Sequence, residues 1–420
     1  MKIFKNFKKC ILACCVILAV FTIYKISSVV VIAGDEIFEQ VKLLIEIAER
    51  IKEAYVEPVE TKKLIHGAAS GMVRTLDPFS QFLEPEDYKE MKVETEGEYG
   101  GLGIRISIKD DYITVITPLP GTPAYREGIL PGDKIIKIEG ENIKGITLEE
   151  AVKRLRGAPG TKVTITISRE GVKEPFDVTL TREIIKIENL RYEMLENNIG
   201  YIWLIEFNAK ISDDLKKALD TLKSKGMKSL ILDLRNNPGG LLEQAVEVTK
   251  LFIGGNKLIV YTEGRRKEER REYYSASVAP YQDIPIVMLV NKGSASGSEI
   301  VAGAFKDHKR GLLIGSTTFG KGSVQSVFRL SDGSGLRLTV AKYYTPSGKC
   351  IHDVGITPDI EINLPIEVEV KLRMQKELTY AKDKAPESIV KKEEQVEDVV
   401  LKRAVEFLKA YDIWNQSKKM

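Results

Sequence analysis

The chain has 420 residues, 43% hydrophobic and 29% charged, a length that implies two to four domains and a composition that supports full cores. Lys and Arg number 63 against 60 Asp and Glu, a net charge of +3, which argues against a dedicated nucleic-acid binder. The densest basic run, Arg265-Arg266-Lys267-Glu268-Glu269-Arg270-Arg271, is interleaved with acids and reads as a solvated loop.

Residues 1–34 stand apart. Lys2, Lys5, Lys8 and Lys9 precede the apolar run Cys10–Tyr24, Lys25 interrupts it, and Ile26–Ala33 continues it. As a helix, residues 10–33 would reach ~36 Å, enough to cross a bilayer. The leading lysines would hold the N-terminus in the cytoplasm and place everything after residue 34 outside. The pattern predicts a single-pass cell-membrane protein with an uncleaved signal anchor. The alternative is a cleaved signal peptide, with Val31-Ile32-Ala33 before Gly34 as the cleavage site, which would make the protein secreted. Cys10, Cys14 and Cys15 lie in this segment, so Cys350 is left without an internal partner, and no zinc-ligand spacing is present.

Residues 35–95 read as helical. Phe38, Val41, Leu44, Ile45, Ile47, Ala48 and Ile51 recur at helical spacing, and Thr75-Leu76-Asp77-Pro78 ends the pattern. This unit suits packing or homodimer formation. Residues 96–180 change to short strands and glycine turns, with one amphipathic helix, Thr147–Arg156, whose Thr147 and Glu150 have capping-box spacing. That order resembles a PDZ domain. The resemblance makes Gly101, Leu102, Gly103 and Ile104 the loop whose backbone amides hold a peptide's terminal carboxylate, beside a strand edge that can accept a peptide strand. Residues 181–365 alternate apolar strands, at 199–207, 229–234, 257–262, 284–290 and 311–315, with helical stretches, an α/β core. Residues 366–420 are charged and helical. The stretch 391–411, with Val396, Val399, Val400, Phe407 and Leu408 at helical spacing, reads as a surface helix suited to a subunit contact. The expected fold is therefore a multidomain α/β (α+β) protein with an inserted domain and helical ends.

Two segments of the core carry candidate chemistry. In the first, the strand ending at Val290 runs into Gly293-Ser294-Ala295-Ser296-Gly297-Ser298-Glu299-Ile300 and then a helix. A serine here lies near a helix N-terminus, where backbone amides and the dipole stabilise an oxyanion; composition does not choose among Ser294, Ser296 and Ser298. The second, Gly315-Ser316-Thr317-Thr318-Phe319-Gly320-Lys321, follows another strand and matches a P-loop as far as the lysine. Gly322 then replaces the Ser or Thr that would hold magnesium, and the following residues look like strand. Nucleotide binding is set aside. His66, His308 and His352 are the only histidines, and none has a local setting suited to activating a serine, which leaves lysine as the base. Lowering a lysine by about 3 units from ~10.4 corresponds to roughly 4 kcal/mol, within reach of burial against apolar groups such as Phe319.

The strings Asp233-Leu234-Arg235-Asn236-Asn237-Pro238-Gly239-Gly240, Gly293–Ile300 and Thr318-Phe319-Gly320-Lys321-Gly322-Ser323-Val324-Gln325 resemble those of the carboxyl-terminal processing (tail-specific) proteases. The resemblance spans about 35–365 and implies Ser296 as nucleophile, Lys321 as base and Gln325 as its orienting partner. It also implies the backbone N–H of Gly297 and of Gly239 or Gly240 as oxyanion donors. The family often has alanine at position 297, a change that a backbone donor tolerates. The expected function is an exported serine endopeptidase that selects proteins with apolar C-terminal residues and needs no metal or organic cofactor. Arg156, at the end of the PDZ helix, is the expected sensor of a bound tail. The rival reading is a catalytically silent PDZ scaffold that presents tails to a partner protease.

Overall fold

A computed structural model describes residues 37–109, 111–119, 121–186, 188–382 and 396–417. The chain divides into two compact units, one ending at Glu84 and the other starting at Pro85. In the first, a helix covers 37–54 and a second runs Thr61–Arg74. The second stops where Asp77 folds back, its carboxylate accepting the N–H groups of Phe79 and Ser80 and the Ser80 hydroxyl. The periodicity of Phe38, Val41, Leu44, Ile45 and Ile47 does produce a helix, but these side chains are exposed.

The second unit begins with helix Pro85–Glu96 and the strand Glu98–Gly101. That strand pairs antiparallel with Glu183–Lys186, so the residues between them hang from a two-stranded ribbon. Between them lies an antiparallel sheet in the order Ile104–Lys109, Tyr112–Pro118, Lys134–Ile138, Lys162–Ser168, Phe176–Thr181. Helix Leu148–Leu155 closes its core, and the Glu150 N–H donates to the Thr147 hydroxyl at 3.2 Å as the capping spacing predicts. Asp133, 1% exposed, is held by Arg169 through two bonds of 2.7 and 2.8 Å.

The core is a six-stranded sheet in the order Leu190–Leu195, Ile199–Leu204, Ser229–Asp233, Ile286–Val290, Leu312–Gly315, Ile360–Glu361; the first pair is antiparallel and the rest parallel. Strands 199–204, 229–233 and 286–290 are buried at every position, the pattern of parallel strands covered on both faces. Side chains alternate. Ile202, Leu204, Leu230, Leu232, Met288 and Val290 pack with helices Ile211–Ser224, Leu242–Lys250 and Gly297–Asp307. Tyr201, Trp203, Ile231, Val287, Leu289 and Ile314 face the other way, onto Val400, Ala404 and Leu408 of helix Val399–Ser417. That last helix corrects the sequence reading: it is not a surface helix but the cover of the sheet's second face. Its stripe was legible; what it packs against was not.

Residues 257–262 also move from their expected place. Strand Leu258–Gly264 joins a second, antiparallel sheet with Ser323–Arg329, Gly335–Tyr344 and Arg271–Tyr274, because it pairs with Gly335–Tyr344 rather than with the parallel strands. The expected membrane protein is likewise corrected. Among the described residues no helix is long and apolar enough to cross a membrane, and the segment 1–34 that carried that expectation lies outside them.

Candidate active site

Three loops leave the carboxyl ends of neighbouring parallel strands, the place where an open α/β sheet forms its crevice. They are 234–240 after Asp233, 291–296 after Val290, and 316–321 after Gly315.

The first loop is anchored from behind. Asp233 is fully buried and accepts bonds from Tyr201 Oη (2.7 Å), Lys376 Nζ (2.7 Å) and Arg235 Nη2 (2.7 Å), while Arg235 reaches on to Asp398 at 2.8 and 2.9 Å. Burial alone would raise the Asp233 carboxyl, but the Arg235 and Lys376 cations hold it far below the ordinary carboxylate range. Burial also pulls the Lys376 ammonium down to about 8, against the attraction of Asp233.

The loop then locks to its neighbour. Asn236 and Asn291 exchange bonds, with the Asn236 N–H donating to Asn291 Oδ1 (2.9 Å) and Asn291 Nδ2 to Asn236 Oδ1 (3.1 Å). Buried Asn237 donates Nδ2 to the Leu204 carbonyl and accepts the Gly239 N–H on Oδ1, both at 2.9 Å. Gly239 has φ +101°, and a Cβ there would stand 2.6 Å from Cβ of Ser296, so only glycine lets the loop lie against that serine.

The second loop gives the three serines different surroundings. Ser294 and Ser298 are both fully buried. The Ser294 hydroxyl donates to the Leu234 carbonyl at 2.8 Å, and that of Ser298 to the Asn237 carbonyl at 3.0 Å. Both tie the first two loops together. Ser296 instead lines a cleft of about 660 Å³ with Gln325, Arg337, Tyr343, Gly240 and Phe207. Its φ of 52° is left-handed, a strained setting for a non-glycine residue, and it begins helix Gly297–Asp307. Gly297 thus places its amide at the first turn of that helix, where N–H groups have no intrahelical acceptor.

The third loop carries Lys321 half-buried. Burial lowers its pKa, the Arg337 cation lowers it further, and Glu299 opposes both. Phe319, expected as part of the apolar wall, is 59% exposed, so it does not supply that burial. Gly322 packs against the His352 backbone and strand Ser323–Arg329 follows, which excludes the strand–loop–helix order of a P-loop. Gln325 donates Nε2 to the hydroxyls of Ser323 (2.8 Å) and Thr339 (3.3 Å). Buried Tyr343, which sequence reading missed, donates its phenol to the Lys321 carbonyl and lies within hydrogen-bonding reach of the Ser296 side chain. Among the described residues no cluster of His, Cys, Asp or Glu suits a metal ion.

A second, smaller groove lies in the inserted domain. Strand Ile104–Lys109 is the edge of its sheet, and Tyr99, Leu102, Gly103, Ile104, Val152 and Arg156 line a pocket of about 70 Å³ beside it. Gly103 has φ +72° and a Cβ there would overlap Thr122, so the loop closes only with glycine. The Arg156 guanidinium lies 4.5 Å from the centre of the Tyr99 ring.

Comparison with known proteins adds to this geometry. The model of peptidase family S41 matches residues 198–362, that of the PDZ domain 90–168, and that of the activating protease CtpB N-terminal domain 31–87. A carboxy-terminal-processing protease of Bartonella bacilliformis is 44% identical over 338 residues, 80% of this chain and 77% of that protein. The chain belongs to peptidase family S41. As an S41 member with a PDZ domain it is a C-terminal processing serine protease, and the silent-scaffold reading is set aside. The S41 chain is also similar to the carboxy-terminal processing protease CtpA of Bacillus subtilis, 39% identical over 79% of this chain and 70% of that protein. Among solved structures it is similar to a photosystem II D1 C-terminal processing protease, at 31% identity and a TM-score of 0.45, covering 78% of this chain and 95% of that one.

Proposed function

We propose that the protein hydrolyses peptide bonds through an acyl-enzyme formed on Ser296, with Lys321 as general base. The observation that carries this reading is the division of labour among the three serines: two are buried in structural bonds, and Ser296 lines the cleft. Lys321, its proton affinity reduced by burial, removes the Ser296 proton as the hydroxyl attacks the scissile carbonyl. The oxyanion is met by the amides of Gly297 and Gly240. Engagement of the Gly239 amide by Asn237 favours Gly240 over Gly239 for this role. The protonated lysine then gives its proton to the leaving amine, and water attacks the ester with Lys321 again as base. Gln325 borders the same cleft and, through Ser323 and Thr339, fixes the strand that follows the lysine loop. Neither metal nor organic cofactor takes part in this scheme. Covalent labelling with a fluorophosphonate, located by peptide mass analysis, tests it; the adduct is expected on Ser296, and one on Ser294 or Ser298 would remove the basis of the reading.

The inserted domain supplies selection. A substrate tail adds as a strand to the edge Ile104–Lys109, its carboxylate held at Gly101–Ile104 and its apolar last side chain placed against Leu102, Val152 and Leu155. Arg156 stands at the end of this groove and is the residue through which occupancy is sensed. Arg156→Ala is expected to slow cleavage of proteins with apolar tails several-fold while leaving fluorophosphonate labelling of Ser296 intact. Equal turnover of tailed proteins by variant and wild type would dismiss the sensor role.

A further inference from the structure

Glu299 is fully buried, yet its carboxylate reaches two loops. Oε2 accepts the N–H of Ser296 at 2.9 Å and the N–H of Lys321 at 2.8 Å. Oε1 accepts the N–H of Gly320 at 2.7 Å and the hydroxyl of Thr318 at 2.6 Å. Thr318 Oγ1 itself accepts the Ile356 N–H at 2.7 Å, which leaves its own proton to donate to Glu299. A carboxylate at the third position of a helix ordinarily reaches back to the residue before the helix, and that accounts for one bond of the four. The other three go to the loop that carries the lysine, which a capping role does not require.

We propose that Glu299 is the positioning residue of the reaction, a single buried carboxylate that fixes the segments bearing Ser296 and Lys321 relative to each other. The backbone nitrogens of the two residues donate to one oxygen atom, so neither segment can shift without breaking a charge-assisted bond. The same bond holds Ser296 in its left-handed conformation. Asn237, Ser294 and Ser298 tie the oxyanion loop to the serine loop. Two other contacts join the serine and lysine loops, the Phe319 N–H to the Ser294 carbonyl and Tyr343 between the Lys321 carbonyl and the Ser296 side chain, but Glu299 binds the backbone nitrogens of Ser296 and Lys321 themselves. Glu299 also faces Lys321 electrostatically. Its negative charge raises the affinity of the lysine for a proton, against burial and Arg337, so the carboxylate helps set the pH at which the amine is free.

This inference rests on the Ser296–Lys321 reading, and the test separates the two. Glu299→Gln keeps the shape but turns one acceptor oxygen into a donor facing backbone N–H groups. Glu299→Asp keeps the charge but is one methylene too short. Both variants are expected to lower kcat about 10- to 100-fold, the scale of a displacement of roughly 1 Å, with KM little changed. Only Glu299→Gln is expected to shift the acidic limb of the pH–kcat profile to lower pH, because only it removes the anion near Lys321. A purely structural residue would move neither the profile nor the ratio of kcat to KM. Wild-type kcat and an unshifted profile in folded Glu299→Gln overturn the proposal; if that variant does not fold, wild-type kcat in Glu299→Asp overturns it. Substantial hydrolysis by Ser296→Ala would instead sink the underlying dyad, whatever Glu299 does.

Discussion

Lys321→Ala is expected to slow hydrolysis of an unfolded protein with an apolar tail by about 10²–10⁴-fold, the range for loss of a general base. Ser296→Ala is expected to abolish the acyl-enzyme route altogether. As the proposed base, the lysine must act uncharged, so on that proposal its pKa decides the profile. Burial and Arg337 both move that pKa below the ordinary lysine value, and the neutral fraction grows as pH rises through it. The wild-type kcat/KM should therefore climb with pH to a plateau, with its inflection under the usual ~10.4 of a free lysine. Steady-state rates across pH, with the fold of each variant checked by circular dichroism, measure both expectations. Full-speed digestion by Lys321→Ala, or an inflection at or above the free-lysine value, would exclude the amine as base.

Asp233→Ala is expected to destabilise the core by about 3–5 kcal/mol, the cost of removing one partner from a buried ion pair. Asp233 is 0% exposed and pairs with both Arg235 and Lys376, so its loss leaves two largely buried cations without their shared partner, with Asp398 still bonded to Arg235. The asparagine variant should cost less, since its amide oxygen still accepts from Tyr201 and one cation. Trp203 reports the event directly, because Lys376 lies 4.2 Å from its ring. A shift of the urea midpoint followed by tryptophan fluorescence is the measurement, and an unmoved midpoint would show that the cluster is not structural. Linkage sets the pH window: the folded carboxyl is held below its unfolded value, so its stabilisation is present above pH ~3.9 and lost only as pH falls below that. Activity should fall along with stability, because Arg235 opens the loop that ends at Gly239 and Gly240.

This cluster also explains the role of the C-terminal region. Lys376 and Asp398 lie on either side of the segment 383–395, and they converge on Asp233 and on Arg235, the end of the strand and the start of the loop that follows it. The sequence shows charge and helical spacing there, which a solvated helix would share, and charge patterning carries no address for a partner more than a hundred residues away in the chain.

What the sequence determined by itself was local. Continuous apolar runs identified the parallel strands, Thr147 and Glu150 the start of the PDZ helix, and Gly322 the failure of the P-loop, because propensity, capping and turn chemistry act over a few residues. The three short strings identified the family. Only the tertiary structure decided which serine lines the cleft, since Ser294, Ser296 and Ser298 differ not in type but in what the neighbouring loops offer their hydroxyls. The same holds for Glu299, which in sequence is an ordinary helix-start residue. It gains its second loop because parallel strands Ile286–Val290 and Leu312–Gly315 are neighbours in the sheet and deliver both loops to one edge. Long-range pairing of strands, not local chemistry, brings the two segments together.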